Sequence, residues 1–322
     1  MNPWSIQIEL TEGCNRRCSF CGIHSLYREK KDVMYKHMEV QMARQIAHDL
    51  ASWLPKIRLE FALQGEPLLN PNHLEIFQIF REEFPTAQIM VTSNCDPLKG
   101  EKHLMQLFQS GVNILVADYY GGKSFQAFKE KLKGPFKIYD FHKDKPKVWG
   151  YVGTNIRYIV AIDNTIPRNF HRDLNNQAGN TSPTLMEQDG AMINHLPVHT
   201  RCHLPFREMS IKHDGAVPIC CMDWQRENIM GKFPEQSFKE IWAGEMYRRT
   251  RSILYNKERR LLDPCKRCNY HAVKVGLVED PYPNGHPDLV ESSQFIKKNQ
   301  VKSLQNKYAN QPFNYSSVTE GI

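Results

Sequence analysis

Hydrophobic residues in the first half of the chain switch repeatedly between two periods. Residues 5–10 alternate with a period of two and predict a first strand, whereas apolar residues at helical spacing predict a helix over 38–53. The same reading continues along the chain. It predicts strands over 57–63, 88–91, 113–117 and 156–162, and helices over 71–84, 101–109 and 124–132.

Strands that alternate with helices at this spacing predict βαβ units, a parallel sheet and an α/β fold. Five or six such units make an open barrel or a wound sheet, and both place ligands at the carboxyl ends of the strands. Chemistry-bearing residues follow three of the predicted strands. The three cysteines of residues 14–21 come after the first strand, Glu66 comes after the second strand, and Asn94 comes after the third.

The rest of the chain divides by composition. Residues 134–155 are loop-like, 164–200 form a polar, Asn-rich junction, and 201–275 form a second, cysteine-bearing unit. Residues 276–322 are polar and proline-containing, which is typical of a peripheral tail. We therefore predict a core domain over 1–198, a small α+β domain over 199–275 and a tail over 276–322.

Bulk composition narrows the class of protein. The chain has 322 residues, of which 41% are hydrophobic, enough for one large core or two domains. No apolar run is long enough to span a bilayer, and the first four residues lack the pattern of a signal peptide, so we expect a soluble, cytoplasmic protein. The net charge of +7 favours anionic partners such as a nucleotide or nucleic acid without requiring one.

The positions of the nine cysteines favour metal binding over disulfides, because clustered thiols in a cytosolic protein are usually metal ligands. Cys14, Cys18 and Cys21 supply three thiolates from one short loop. Three ligands leave one metal position open, and on a [4Fe–4S] cluster that open iron accepts an external chelating ligand. A three-cysteine zinc site completed by His24 or His37 is the alternative.

The segment from Cys14 to Cys21, with the aromatic Phe20 before the third cysteine, resembles the radical S-adenosylmethionine (SAM) superfamily. The resemblance implies a partial (β/α)6 TIM-like barrel and SAM bound to the open iron, with Phe20 near the adenine. It also implies reductive cleavage of SAM to a 5′-deoxyadenosyl radical that takes a hydrogen atom from the substrate. A reductant such as flavodoxin or ferredoxin would supply the electron.

Further segments resemble the same superfamily. Gln64, Gly65 and Glu66, followed by proline, resemble its Gly-Gly-Glu-Pro motif, with Gln64 in place of the first glycine. This implies that Glu66 accepts a charge-assisted hydrogen bond from the SAM ammonium. The segment Thr92-Ser93-Asn94 resembles the stretch that contacts the ribose.

The end of the fourth predicted strand departs from the superfamily pattern. Many members have a serine there that contacts the SAM carboxylate, whereas this chain has Ala117 and Asp118. Arg157, on the fifth predicted strand, offers a positive charge for the same carboxylate.

Four later cysteines, Cys202, Cys220, Cys265 and Cys268, suit one four-thiolate site. They resemble the shortened SPASM domain of radical SAM enzymes, called a twitch domain, which implies one auxiliary [4Fe–4S] cluster. Their spacing resembles that of aminocyclitol alcohol dehydrogenases in this group. Two alternatives stay open: the site could hold zinc instead of the cluster, and Cys221 could be the ligand instead of Cys220. Cys95 is interpreted as a packed side chain.

Several functions remain compatible with the sequence. The leading hypothesis is oxidation or rearrangement of a nucleotide or modified thymine base, as in phage DNA hypermodification, which would take place in the host cytoplasm. The basic residues that motivate it are Lys143, Lys145, Lys147, Arg248, Arg249 and Arg251, the last three beside Tyr247.

The alternatives are a radical dehydrogenase of a small alcohol, a peptide-modifying radical SAM enzyme, and a zinc-stabilised nucleic-acid-binding protein. The sequence assigns no catalytic acid or base. The residues considered for the cavity are Asp118, Tyr119, Asn176 and Asp223.

Overall fold

The computed structural model describes residues 2–18, 20–27, 34–144, 157–165, 175–181 and 196–270, and its centre is a sheet of seven parallel strands. The strands of the chain are β1 (Ser5–Ile8), β2 (Thr11–Glu12), β3 (Lys36–His37), β4 (Arg58–Phe61), β5 (Gln88–Ser93), β6 (Ile114–Tyr119), β7 (Lys137–Asp140), β8 (Tyr158–Asp163), β9 (Glu208–Ile211), β10 (Ala216–Pro218) and β11 (Ile229–Lys232). The central sheet has the order β7-β8-β6-β5-β4-β1-β9. The pairs β2–β3 and β10–β11 form two small antiparallel sheets.

Helices α2 (Val40–Trp53), α3 (His73–Glu83) and α4 (Glu101–Gln109) pack in the main core against one face of the central sheet. The other helices of the described ranges are α1 (Ile23–Leu26), α5 (Phe125–Lys131), α6 (Phe141–Asp144), α7 (Leu204–Arg207), α8 (Phe238–Ala243) and α9 (Glu245–Tyr255). Short 3-10 turns lie at Pro67–Leu69, Gln177–Gly179, Arg259–Leu261 and Cys265–Arg267. None of the helices in the described ranges is both long enough and apolar enough to cross a membrane.

Alternation along the strands separates an apolar face from a polar one. Leu59 and Phe61 of β4 are fully buried in the main core, where each contributes about 1.5–3 kcal/mol of burial free energy. The intervening Glu60 shares the other face with Gln7 and Ser210, and hydrogen bonds of 3.4 and 3.3 Å link the three side chains. The sheet therefore presents an apolar face to the helices and a partly polar inner face.

The structure confirms the predicted α/β class and corrects two local expectations. Residues 134–155, expected to be a loop, contain β7, which pairs with β8 at one edge of the sheet. The stretch 209–211, which lies inside the second domain predicted over 199–275, belongs to β9 and pairs in parallel with β1. Because β9 extends the main sheet, a strand from beyond residue 198 completes the core. The boundaries at 198 and 275 stay predictions.

Candidate active site and metal centres

A cavity of about 240 Å³ opens at the carboxyl ends of β1, β4, β5 and β6. It brings together the three N-terminal cysteines and every cofactor-contact residue expected from the sequence except Arg157. The residues that line it are Cys14, Arg16, Cys18, Phe20, Cys21, Ile23, Ala62, Leu63, Gln64, Gly65, Glu66, Thr92, Ser93, Asn94, Asp118, Tyr120, Gln177 and Trp224.

Gly65 holds two loops of the cavity together. A Cβ at this position would lie 1.7 Å from the carbonyl oxygen of Thr11, so only glycine fits. The next residue, Glu66, donates its backbone N–H to the carbonyl oxygen of Gly13 at 3.0 Å. Since Gly13 directly precedes Cys14, this contact fixes the motif beside the cysteine loop.

Glu66 is a buried carboxylate with three hydrogen-bond donors. Its oxygens accept bonds from the Ser93 hydroxyl at 2.7 Å, the Leu68 amide at 3.0 Å and the Asn94 amide at 2.9 Å. Burial raises the pKa of Glu66 to about 7, even though these bonds favour the ionised form. Within the described ranges, no side-chain cation forms an ion pair with Glu66. An incoming ammonium group would therefore stabilise the ionised carboxylate.

The cysteine loop is anchored at the end of β5. Arg16 forms a bidentate pair with Asp96, with donor–acceptor distances of 2.6 and 2.8 Å. The Asn94 side chain donates to the Cys14 sulfur at 3.5 Å and to the Asn15 side chain at 3.0 Å. Hydrogen bonds from N–H groups to cysteine sulfurs tune the reduction potential of iron–sulfur clusters.

Aromatic and acidic side chains form the wall opposite Glu66. The rings of Phe20 and Tyr120 lie 5.7 Å apart at an angle of 40°. Burial raises the pKa of Tyr120 well above its ordinary value, and the Asp118 carboxylate adds to the effect. The Asn164 side chain donates to Asp118 at 2.9 Å. This arrangement offers a flat apolar surface and hydrogen-bonding groups, which suits a nucleoside.

The three cysteines fit a cluster with an open iron. Burial raises the pKa of Cys14 to about 11 and that of Cys21 to about 12, so metal ligation is what would deprotonate them. One ring nitrogen of each candidate histidine has another partner: Nε2 of His24 contacts the Cys18 carbonyl oxygen at 3.0 Å, and Nδ1 of His37 contacts the Thr11 hydroxyl at 3.0 Å. Neither contact involves a cysteine sulfur.

The distances between the cysteine sulfurs also indicate which metal centre the site fits. Among the described residues, no three cysteine sulfurs all lie within 4.8 Å of one another. A tetrahedral zinc with Zn–S bonds of about 2.3 Å would bring them to about 3.8 Å. The wider spacing suits a four-iron cluster better.

Five cysteines meet in the second centre. Cys202, Cys265 and Cys268 are buried, Cys220 and Cys221 are half-buried, and all five thiols are free. The Tyr270 amide donates to the Cys268 sulfur at 3.4 Å. The donor set is therefore made entirely of sulfur, as a [4Fe–4S] cluster requires.

Cys220 stays the predicted fourth ligand, with Cys221 as the alternative. Burial and the neighbouring thiols raise the pKa of Cys220. Burial and the nearby carboxylate of Glu208 raise the pKa of Cys221. Metal ligation would deprotonate either thiol.

Other predicted residues lie away from the cavity. Arg157 is exposed and immediately precedes β8, so it lies at the amino edge of the sheet, opposite the cysteine loop. Tyr119 faces the helices and packs against Phe125 and Phe128. Asn176 binds the loop after the last cysteine pair, and Asp223 accepts backbone N–H bonds within its own turn.

The sequence did not single out several polar and aromatic residues of the site. Asp96, Tyr120, Gln177 and Trp224, together with Arg16 inside the cysteine motif, reach it through tertiary contacts. Only Tyr120 has a signal in the sequence, since it directly follows β6 and so lies at the ligand edge of the parallel sheet.

Comparisons with known proteins agree with this geometry. Residues 8–133 match the radical SAM superfamily, and residues 202–269 match SPASM, an iron–sulfur cluster-binding domain. The chain is therefore a radical SAM enzyme with a C-terminal auxiliary iron–sulfur domain. These two domains imply a SAM-binding [4Fe–4S] cluster and an auxiliary cluster.

The chain is 25% identical, over 275 residues, to the S-adenosyl-L-methionine-dependent 2-deoxy-scyllo-inosamine dehydrogenase of Niallia circulans, with 84% of this chain and 94% of that protein covered. The crystal structure of BtrN in complex with AdoMet and 2-DOIA has a TM-score of 0.64 at 23% identity, covering 87% of this chain and 97% of that chain. An open conformation of BtrN has a TM-score of 0.57 at 20% identity, with coverage of 85% and 99%. The structural matches establish the shared fold.

Proposed function

We propose that this enzyme oxidises a secondary hydroxyl group of a small, polyhydroxylated substrate, of the aminocyclitol kind, to a ketone. The observation that carries the proposal is the match to a SAM-dependent aminocyclitol dehydrogenase, which covers 84% of this chain and 94% of that protein. Of the hypotheses drawn from the sequence, the match supports the alcohol dehydrogenase more than the nucleic-acid one.

When bound, the clusters and SAM supply an electron, a carbon radical that takes a hydrogen atom, and an acceptor for the electron left on the substrate. The residues of this chain bind and orient these groups. Glu66 would hold the SAM ammonium, and Phe20 and Tyr120 would flank its adenine. Trp224 and Gln177 close the cavity from the side of the auxiliary domain.

The stoichiometry distinguishes oxidation from rearrangement. The alcohol carbon loses one hydrogen atom to the deoxyadenosyl group, the hydroxyl loses a proton, and one electron leaves the substrate. One SAM and one alcohol then give methionine, 5′-deoxyadenosine, a ketone and a proton, and the electron supplied at the start is matched by the electron released at the end.

The lining of the cavity supports a polar substrate. Its side chains include Thr92, Asp118 and Gln177, which offer hydroxyl, carboxylate and amide groups. Hydroxyl and amine groups of a substrate find both donors and acceptors among them.

The basic residues that motivated a nucleic-acid substrate are only partly on the surface. Arg251 and Tyr247 are buried, and the Arg251 guanidinium donates to the carbonyl oxygens of Pro205 and Trp242. Lys145 and Lys147 lie outside the described residues. Arg251 therefore serves packing rather than phosphate binding.

A substrate panel tests the proposal. The anaerobically reconstituted enzyme is given SAM, a strong reductant and one of three substrates: 2-deoxy-scyllo-inosamine, myo-inositol, or duplex DNA containing modified thymine. We expect one 5′-deoxyadenosine per ketone with the aminocyclitol and no change in the DNA. Modification of DNA without ketone formation would overturn the proposal.

A further inference from the structure

Gln64 joins the two cysteine centres through a pair of buried hydrogen bonds. Its amide nitrogen donates to the Cys221 carbonyl oxygen at 2.7 Å, and its amide oxygen accepts a bond from the Lys212 ammonium at 2.5 Å. The side chain is only 1% exposed, so both bonds are shielded from water. A glycine at this position, as in the superfamily motif, would make neither bond.

Burial and an ion pair fix the Lys212 side chain in position. The ammonium is fully buried and also pairs with the Glu9 carboxylate at 2.6 Å. Lys212 directly follows β9, and the turn that starts there leads through β10 to Cys220. Gln64 therefore contacts the start of this turn and, beyond β10, the carbonyl group of Cys221, next to a candidate ligand of the auxiliary cluster.

The other side of Gln64 leads to the SAM site. Gly65 packs against the Thr11 carbonyl group without room for a Cβ, and Glu66 is bonded to Gly13, the neighbour of Cys14. A short path of bonded backbone and side-chain groups thus runs from Cys14 through Gln64 to Cys221. Each link is a covalent bond, a hydrogen bond or a close packing contact.

We propose that Gln64 is a positioning residue that couples the SAM site to the auxiliary cluster. By bonding to Cys221 and Lys212 together, it fixes the Cys221 carbonyl group, next to the candidate ligand Cys220, relative to the Glu66 loop. Occupation of the SAM site then changes the surroundings of the auxiliary cluster, and the redox state of that cluster changes the affinity for SAM by the same factor. The inference needs both clusters but no particular substrate, so it goes beyond the proposed alcohol oxidation.

The coupling is measured as the midpoint potential of the auxiliary cluster in the reconstituted full-length protein, with and without S-adenosylhomocysteine. This probe carries the amino acid group that Glu66 would bind but has no sulfonium to cleave. A tenfold coupling corresponds to about 59 mV for a one-electron couple. We expect the probe to shift the potential in the wild type by an amount equivalent to about fivefold or more.

Two variants separate positioning from local effects. Gln64→Gly removes both hydrogen bonds, whereas Gln64→Glu keeps an acceptor for Lys212 but loses the donor to Cys221. Both should abolish the probe-dependent shift while the auxiliary site still holds its iron. If the glycine variant fails to fold, Gln64→Glu alone tests the coupling. The introduced glutamate retains the packing because it can form an ion pair with Lys212. Gln106→Glu, an exposed change of the same charge on α4, is the matched control and should retain the shift.

Two results would overturn the coupling. The first is a midpoint potential of the wild-type auxiliary cluster that stays unchanged although S-adenosylhomocysteine binds. The second is a shift that persists unchanged in the Gln64 variants. Neither result depends on ketone formation, so failure of the proposed reaction is distinguishable from failure of this inference.

Discussion

The indole of Trp224 lies so close to Gly22 that a Cβ on the glycine would fall 2.2 Å from the indole nitrogen. Trp224 is 3% exposed and packs in one cluster with Ile23, Cys14 and Cys21. A residue between the two later cysteine groups therefore covers the first cysteine loop and excludes water from it.

Gly22→Ala should disrupt this cover, because the added methyl group would overlap the indole and force the ring to shift. We expect the SAM-site cluster to bleach faster in air while the auxiliary cluster persists. The measurement is the decay of iron–sulfur absorbance and the iron content after a timed exposure to oxygen. Gly134→Ala, whose added Cβ meets only ordinary contacts at 3.6 Å or more, is the control.

Replacing Trp224 by leucine in the Gly22→Ala protein should restore part of the lost oxygen resistance, because the smaller side chain relieves the overlap. Equal bleaching rates for Gly22→Ala and the wild type would show that the contact does not protect the cluster.

Glu66→Gln should weaken SAM binding roughly 10–100-fold, since a charge-assisted hydrogen bond contributes about 1.5–3 kcal/mol. Thermal stability should not fall, because the variant removes a buried charge that has no cation within the described ranges. Equilibrium dialysis with labelled SAM measures the affinity. An unchanged dissociation constant would exclude Glu66 as the ammonium acceptor.

Cys220→Ser and Cys221→Ser form a matched pair of neighbouring substitutions. The first should reduce the iron content from about eight to about four per chain, because it removes a ligand of the auxiliary cluster. The second should leave the iron content near eight, since Cys220 is the predicted ligand and Cys221 is not. Iron and sulfide analysis after anaerobic reconstitution distinguishes them, and the reverse pattern would make Cys221 the ligand.

His73 and His103 form a buried, neutral pair that should make stability depend on pH. Their Nε2 atoms lie 2.8 Å apart, and the Lys99 amide donates to Nδ1 of His103 at 3.2 Å. Burial lowers the pKa of both imidazoles below the ordinary 6.5. The unfolded chain therefore takes up protons first, and the stability contributed by the neutral pair is lost as the pH falls through 6.5.

The unfolding temperature measured anaerobically should accordingly decrease between pH 8 and pH 5.5. His103→Leu should flatten this dependence, whereas His48→Asn, at an exposed position, should not. A wild-type profile that is flat over this range would contradict neutral burial of the pair.

The sequence was a good guide to local elements and to thiol chemistry. The helix predicted over 101–109 has those bounds in the structure, because its apolar spacing and the Ser110-Gly111 stop are local signals. The cavity unites Cys14, Glu66 and Asn94 as the parallel-sheet rule predicted. Local periodicity therefore predicts the elements, and the rule that ligands bind at the carboxyl ends of parallel strands predicts which residues meet in the cavity.

Non-local contacts explain what the sequence left out. Residues 209–211 have a strand pattern, but nothing in that pattern says that the partner is β1 rather than a hairpin arm. Arg251 reads as a surface charge until the structure buries it between Trp242 and Tyr247. Lys137–Asp140 is a half-buried edge strand whose polar residues hide its pairing.

Transfer of deuterium tests the central claim most directly. The reconstituted enzyme, with about eight irons per chain, is reduced in the presence of SAM and an aminocyclitol deuterated at its carbinol carbons. The account predicts 5′-deoxyadenosine that carries one deuterium for each ketone formed. A fully loaded enzyme that leaves SAM intact, or a ketone formed without deuterium in the nucleoside, would contradict it.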